Sequence, residues 1–200
     1  ALMSVTDWQT LFLALAVATA ALAVITFMIV PERRSRKPTS ATIAQQFAAL
    51  PVILKSRQFW RYAAPFAFCY SVYMSYQTLW AAPWLRDVVG LDQDGVAYHM
   101  FLIQLGLFVG VLGIGVIADH MRARGIGSER LFVAGVAAAI LIQVVLIVSP
   151  NSFPALFWTA YSLVAAAIVL CYAILTERFP PELTGRVITT VNLMGFICAF

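Results

Sequence analysis

The chain has 200 residues, 62% of them hydrophobic and 11% charged, with a net charge of +4, whereas soluble domains run at roughly 45–50% apolar and about 25% charged. That composition argues against a soluble globule. The positive balance has to be judged by where the charges stand before it is read as an acidic or nucleic-acid partner.

Six windows contain no Asp, Glu, Lys or Arg: Trp8 to Val30, Tyr62 to Leu85, Tyr98 to Ala118, Leu131 to Val148, Ala155 to Leu175, and Val187 to the chain end. The five complete windows run 18 to 24 residues. At about 1.5 Å per helical residue they cover roughly 27 to 36 Å, the thickness of a bilayer's hydrocarbon core. Each predicts a membrane-spanning helix. Five in succession would need a core larger than 200 residues can surround with polar surface. A β-barrel is excluded by period, since Leu11 to Val30 is apolar almost without interruption where barrel strands alternate. The expected fold is all-α, a polytopic helical membrane protein with the lipid bilayer as its first partner.

The first element, residues 1–30, is a single span that closes on Pro31-Glu32. The next gap, residues 31–61, opens with Arg33, Arg34, Arg36 and Lys37. It then changes character: from Thr39 and Ser40, plausible helix caps, Ile43, Phe47, Leu50 and Leu54 recur at steps of four, three and four, one face of a helix. Two readings stand here, an amphipathic helix on the membrane surface, bent at Pro51, and a disordered linker.

In the second window Phe66, Tyr70, Tyr73, Gln77, Trp80 and Trp84 follow helical steps, so one face carries aromatic rings with an amide among them. Such a face suits a cavity that grips a small organic solute, with rings supplying affinity and Tyr70, Tyr73 and Gln77 supplying orientation. Packing or an interfacial aromatic belt is the competing reading. The third window has Gly106, Gly110, Gly113 and Gly115, residues that let a neighbouring helix approach closely. Gln104 is the one strongly polar group deep in that window, and His99 stands nearer its end. Later windows add Gln143, Tyr161, Tyr172 and Asn192, and no window holds a carboxylate. Proton-driven carriers often place an acid at membrane depth, so a coupling acid, if one is used, is expected outside this stretch. Cys69, Cys171 and Cys198 all lie in apolar windows without metal or redox spacing and read as packing residues. No catalytic set, metal site or cofactor motif is expected.

Residues 31–61, 119–130 and 176–186 together hold twelve of the thirteen Lys and Arg side chains, against Arg86 alone in residues 1–7, 86–97 and 149–154. This positive-inside bias puts the first set in the cytoplasm. The net charge is then a topology signal directed at anionic lipid, and nucleic acid is not required.

After the third window the chain reads Gly115-Val116-Ile117-Ala118-Asp119-His120-Met121-Arg122-Ala123-Arg124-Gly125. This resembles the signature loop of the major facilitator superfamily, G-x-x-x-D-R-x-G-R-R: Gly115, Asp119 and Arg124 match, His120 stands for the usual basic residue, Arg122 occupies the glycine position and Ala123 an arginine position. Trp8, Phe12 and Pro31-Glu32 resemble that family's sixth helix and its exit to the central loop. Phe179-Pro180, Gly185-Arg186 and Asn192 resemble the join of its tenth and eleventh helices. The resemblance implies that residues 62–200 form helices seven to eleven of a six-helix half-bundle. It also implies that the missing N-terminal half of the same protein is a partner, consistent with a chain that opens in Ala1-Leu2-Met3 and stops at Phe200 in an uncharged run.

It further implies secondary active transport of a small solute across the cell's inner membrane, with Tyr70, Tyr73, Gln77 and Gln104 as candidate solute contacts. Gly115, Asp119, Arg122 and Arg124 are then a gating loop. Asp119 is suited to accept hydrogen bonds at a neighbouring helix N-terminus, with Arg122 and Arg124 pairing across the loop. A solvated turn whose arginines only set topology is the plainer alternative. An intramembrane enzyme lacks the facing nucleophiles or carboxylates it would need. A non-transporting or ATPase-dependent membrane subunit stays open.

The charge distribution makes a direct prediction. In a background without native cysteines, Arg34→Cys, Arg124→Cys and Arg178→Cys should resist a membrane-impermeant thiol reagent applied to intact cells and react once the membrane is opened. Labelling from outside would overturn the layout.

Overall fold

The computed structural model describes residues 7–30, 50–149 and 153–199, and the chain forms two compact units, Ala1–Thr42 and Ile43–Phe200. In the first, α1 (Trp8–Ile29) has no buried residue. The two threonines along its middle and end are satisfied within the helix: the Thr19 and Thr26 hydroxyls donate to the carbonyls of Leu15 and Leu22 at 2.8 Å. Beyond Gln9 and Thr10 of its first turn, a helix that closes its own hydrogen bonds and turns mostly hydrocarbon outward is what lipid demands.

The second unit begins, in its described part, with α2 (Leu50–Leu54). The stretch 31–49, where most of the expected amphipathic helix falls, lies outside the described residues. Ile53 of α2 is fully buried, and the Trp60 indole donates to the Leu54 carbonyl at 2.6 Å, closing the end of that turn. Ser56 caps α3 (Arg57–Ser75) by accepting from the Phe59 amide.

The second window is not one continuous helix. After α3 comes a π-helical turn, Tyr76–Trp80, and then α4 (Ala81–Asp87). The widened turn sits just ahead of Pro83, which lacks the N–H that the Leu79 carbonyl would take in an α-helix. Four helical stretches are long and apolar enough to cross a membrane, α1, α5 (Gln93–Ala123), α6 (Ser128–Val148) and the broken helix Pro154–Arg178. The α3–α4 stretch and α9 (Pro181–Ala199) are not among them, and both are diluted by polar side chains such as Tyr, Thr, Gln, Asn and Arg.

α5 is 31 residues long, about 46 Å at helical rise, and overruns its uncharged window at both ends. Asp92 caps its start by accepting from the Gly95 amide at 2.9 Å. Its end is turned by Gly125 at φ 74, with the Gly125 and Ile126 amides bonded to the carbonyls of Arg122 and Met121, a left-handed stop that glycine takes without strain.

The broken helix is the hub of the second unit. It consists of α7 (Pro154–Ala165), a 3₁₀ segment Ala166–Val169, and α8 (Leu170–Arg178). Of its apolar window 56% is buried inside the unit, against 17% for α5 and for α6. α5 and α6 pack along α7, while α9 packs along α3. The approach of α5 to α7 depends on glycine: a Cβ at Gly106 would stand 2.6 Å from the Thr159 carbonyl oxygen, and one at Gly110 would meet the Leu163 carbonyl. Gly113 and Gly115 have open space instead. Away from these seams the surface is hydrocarbon, with Phe68, Phe108, Val116 and Ile147 all exposed, as expected of helices that face lipid.

Gly106→Ala in the full-length protein should therefore cost about 1–3 kcal/mol through overpacking and lower the melting temperature followed by size-exclusion chromatography, whereas Gly113→Ala should not. Equal effects of the two would remove the close seam.

Candidate functional site

Polar side chains at membrane depth need partners within the protein, and the second unit supplies one chain of them. Tyr73, buried, stands one helical turn before Gln77 at the start of the π-helical turn. The Gln77 Nε2 amide donates to the Tyr73 hydroxyl at 2.8 Å, and the Gln104 Nε2 amide on α5 donates to Gln77 Oε1 at 2.7 Å. Three of the four residues expected to contact a solute are thus joined by hydrogen bonds. Gln104 is exposed and Gln77 half-buried, so the chain lies at an open face of the unit.

An aromatic wall adjoins it. Tyr161 lies 6.1 Å from Tyr73 and 5.8 Å from Tyr76, and Trp158 stands edge-on to both Tyr76 and Trp84 at 5.6 Å. Edge-to-face rings at this separation attract through their quadrupoles. Tyr70 is placed elsewhere. It stacks on Phe66 at 5.5 Å and meets Phe196 of α9 edge-on at 5.6 Å, with its ring over Gly195, so it belongs to the α3–α9 seam. Nearby the Tyr172 hydroxyl donates to Asn192 Oδ1 and links α8 to α9.

The loop that follows α5 is tied to the rest of the unit through Arg122. Arg122 reaches across the loop to Glu177 at the end of α8, 2.6 Å, whereas Arg124 makes no such pair among the described residues. Beside Glu177, Arg178 bonds Glu129 in the first turn of α6 at 2.5 Å. The Glu177-Arg178 dipeptide therefore ties α5 with one charge and α6 with the other. Glu129 precedes its uncharged window, and the Arg178 guanidinium holds its carboxyl below the usual carboxylate range. Asp119 and Arg124 are exposed and make no side-chain ion pair among the described residues, and Gly115 is exposed as well. Sequence reading missed Glu129, Glu177 and Arg178 as a set. Their signal was two adjacent opposite charges at the end of one uncharged window, on the same side as an unmatched Arg and Glu at the ends of two others.

Exposed ion pairs contribute about 0.2–1 kcal/mol each. A double-mutant cycle of Arg122→Ala and Glu177→Ala, read from unfolding of the full-length protein, should give coupling in that range that falls as salt is added. Zero coupling at low salt would show that the pair does not hold in solution.

The family model described as Major Facilitator Superfamily matches residues 1–200. Searches of curated proteins and of solved structures found no match. Apolar spanning helices, glycine seams and a Gly-to-Asp-to-Arg loop at the end of α5 agree with a match over the full length, and the chain belongs to the major facilitator superfamily, a family of membrane transporters.

Proposed function

We propose that the chain is part of a secondary active transporter that carries a small organic solute by alternating access, rocking two helical halves about a central site. The observation that carries this reading is the Gln104–Gln77–Tyr73 hydrogen-bond chain. It offers amide and phenol groups from two helices at membrane depth, beside aromatic rings and with no charged residue. A solute with hydroxyl, carbonyl or amide groups exchanges hydrogen bonds with Gln77 and Gln104 at small net cost, because the protein partners it displaces are themselves only about 1 kcal/mol bonds. Tyr70 joins this set if solute entry opens the α3–α9 seam.

The basic end is the proposed gate, and it lies in the cytoplasm of the cell, with residues 31–61, 119–130 and 176–186 on that side of the inner membrane. Arg122 anchors the loop to α8, which leaves Asp119 and Arg124, with Gly115 giving a close approach, as the groups able to meet the other half of the protein. Contacts made by those residues in the outward-facing state must break when the carrier opens inward.

The test uses the full-length protein in cells, with uptake and efflux of a library of small organic solutes followed by mass spectrometry. Expression should change the distribution of at least one solute, and Gln77→Ala should reduce that transport tenfold or more at unchanged membrane abundance. Transport indifferent to Gln77→Ala would remove the amide chain from the solute path.

A further inference from the structure

A cavity of about 400 Å³ opens between α4, α6 and α7, at the end of the unit away from the basic loops, and none of Tyr73, Gln77 and Gln104 lines it. Its walls include the rings of Tyr76, Trp80, Trp84 and Trp158, and Gln143 enters from α6. A volume of that size lies within the range of small-molecule sites.

Two polar groups there are unexplained. Gln143 is the one strongly polar side chain in the window Leu131 to Val148, is half-buried, and makes no side-chain hydrogen bond among the described residues. An amide without a partner in hydrocarbon costs several kcal/mol, and helix packing gives no reason for one here. Trp158, 5% exposed, has its Nε1–H shut in with no acceptor. The two side chains come from different helices and share one cavity. Nothing charged lines it, so the chemistry favours an uncharged ligand, and the indole and phenol faces favour a flat one.

We propose that this cavity is a second binding site, which shares the aromatic wall of Tyr76, Trp84 and Trp158 but none of the polar side chains Tyr73, Gln77 and Gln104, for a neutral planar aromatic molecule carrying one hydroxyl or carbonyl oxygen. The ring stacks against the indoles of Trp80 and Trp84. The oxygen pairs with the Gln143 amide and, after a small turn of the Trp158 ring, accepts from its Nε1–H. Both unsatisfied groups acquire partners in one event. Exposed Trp80 and Ile147 border the opening, so the ligand enters from the bilayer.

The probe is bromonaphthol, a fused aromatic phenol whose bromine quenches indole fluorescence, measured on the full-length protein in phosphatidylcholine nanodiscs. Equilibrium dialysis, with empty nanodiscs subtracted, should show saturable binding accompanied by tryptophan quenching. Gln143→Leu, which keeps size and removes the amide, should weaken binding at least fivefold. Trp158→Phe, which keeps a ring and removes the donor, should do the same in dialysis, and Gln77→Ala should leave binding unchanged. Because Gln77→Ala tests the proposed solute path by transport, failure of either reading leaves the other standing. Binding that never saturates, or that ignores both Gln143→Leu and Trp158→Phe, overturns the site. Binding weakened by Gln77→Ala overturns its separateness. In a parallel arm, phosphatidylcholine brominated on its acyl chains should quench the tryptophans equally in wild type and Gln143→Leu. Quenching by that lipid that depends on Gln143, with no saturable bromonaphthol binding, assigns the cavity to lipid and overturns the proposal.

Discussion

Every polar group in this protein has to find its partner inside the protein or at one of the two water boundaries, since hydrocarbon offers none. That constraint organises what is seen. Backbone amides are closed within helices. Thr19, Thr26, Thr78, Thr176 and Thr189 return their hydroxyls to the carbonyl four residues back. Side-chain amides bond one another, as Gln104 and Gln77 do. Ion pairs between helices occur where the uncharged windows end. The few groups that escape the rule, Gln143 and the Trp158 indole N–H among them, stand out for that reason.

Packing follows from the same setting. Lipid tails are as apolar as leucine, so helices are held by close contact rather than by burial from water. Gly106 and Gly110 bring α5 onto the carbonyl edge of α7, and Gly135 of α6 seats the methyl of Ala167. The alanine run Ala165-Ala166-Ala167 of the hub is buried there, and small residues on both sides of a seam let the broken helix be approached from several directions at once.

The uncharged windows made the helical stretches legible in the sequence, because these depend largely on local composition, though among the described residues only four are apolar enough to span. Of the α5 glycines, Gly106 and Gly110 form the close seam. The interruptions were less legible. Pro83 was a cue to the π-helical turn, but a hydropathy window averages across it, and nothing local distinguishes the 3₁₀ segment Ala166–Val169 from α-helix. Tyr73 and Gln77 were legible as neighbours because they are four residues apart on one helix. That Gln104 completes the chain could not be read, since it depends on how α3 and α5 lie together. Tyr70 shares the aromatic stripe, yet three residues before Tyr73 it is turned toward α9, where Gly195 leaves room for its ring. The partners of Arg122 and Arg178 were hidden for a similar reason, because the sequence shows charges in three loops and only the fold shows which loops meet.

The Glu177-Arg178 dipeptide has a mechanical consequence. Successive residues on an α-helix point about 100° apart, so a twist of the last turn of α8 that relaxes one of its two ion pairs must stretch the other. The three helix ends joined there are coupled through one dipeptide, each link a weak one. At the far end the recorded ion pair, Arg86 with Asp87, joins neighbours in a single turn and ties no helix to another. Among the described residues, ion pairing between helices is therefore confined to the basic end, and the π-helical turn and the tryptophan-lined cavity lie toward the other.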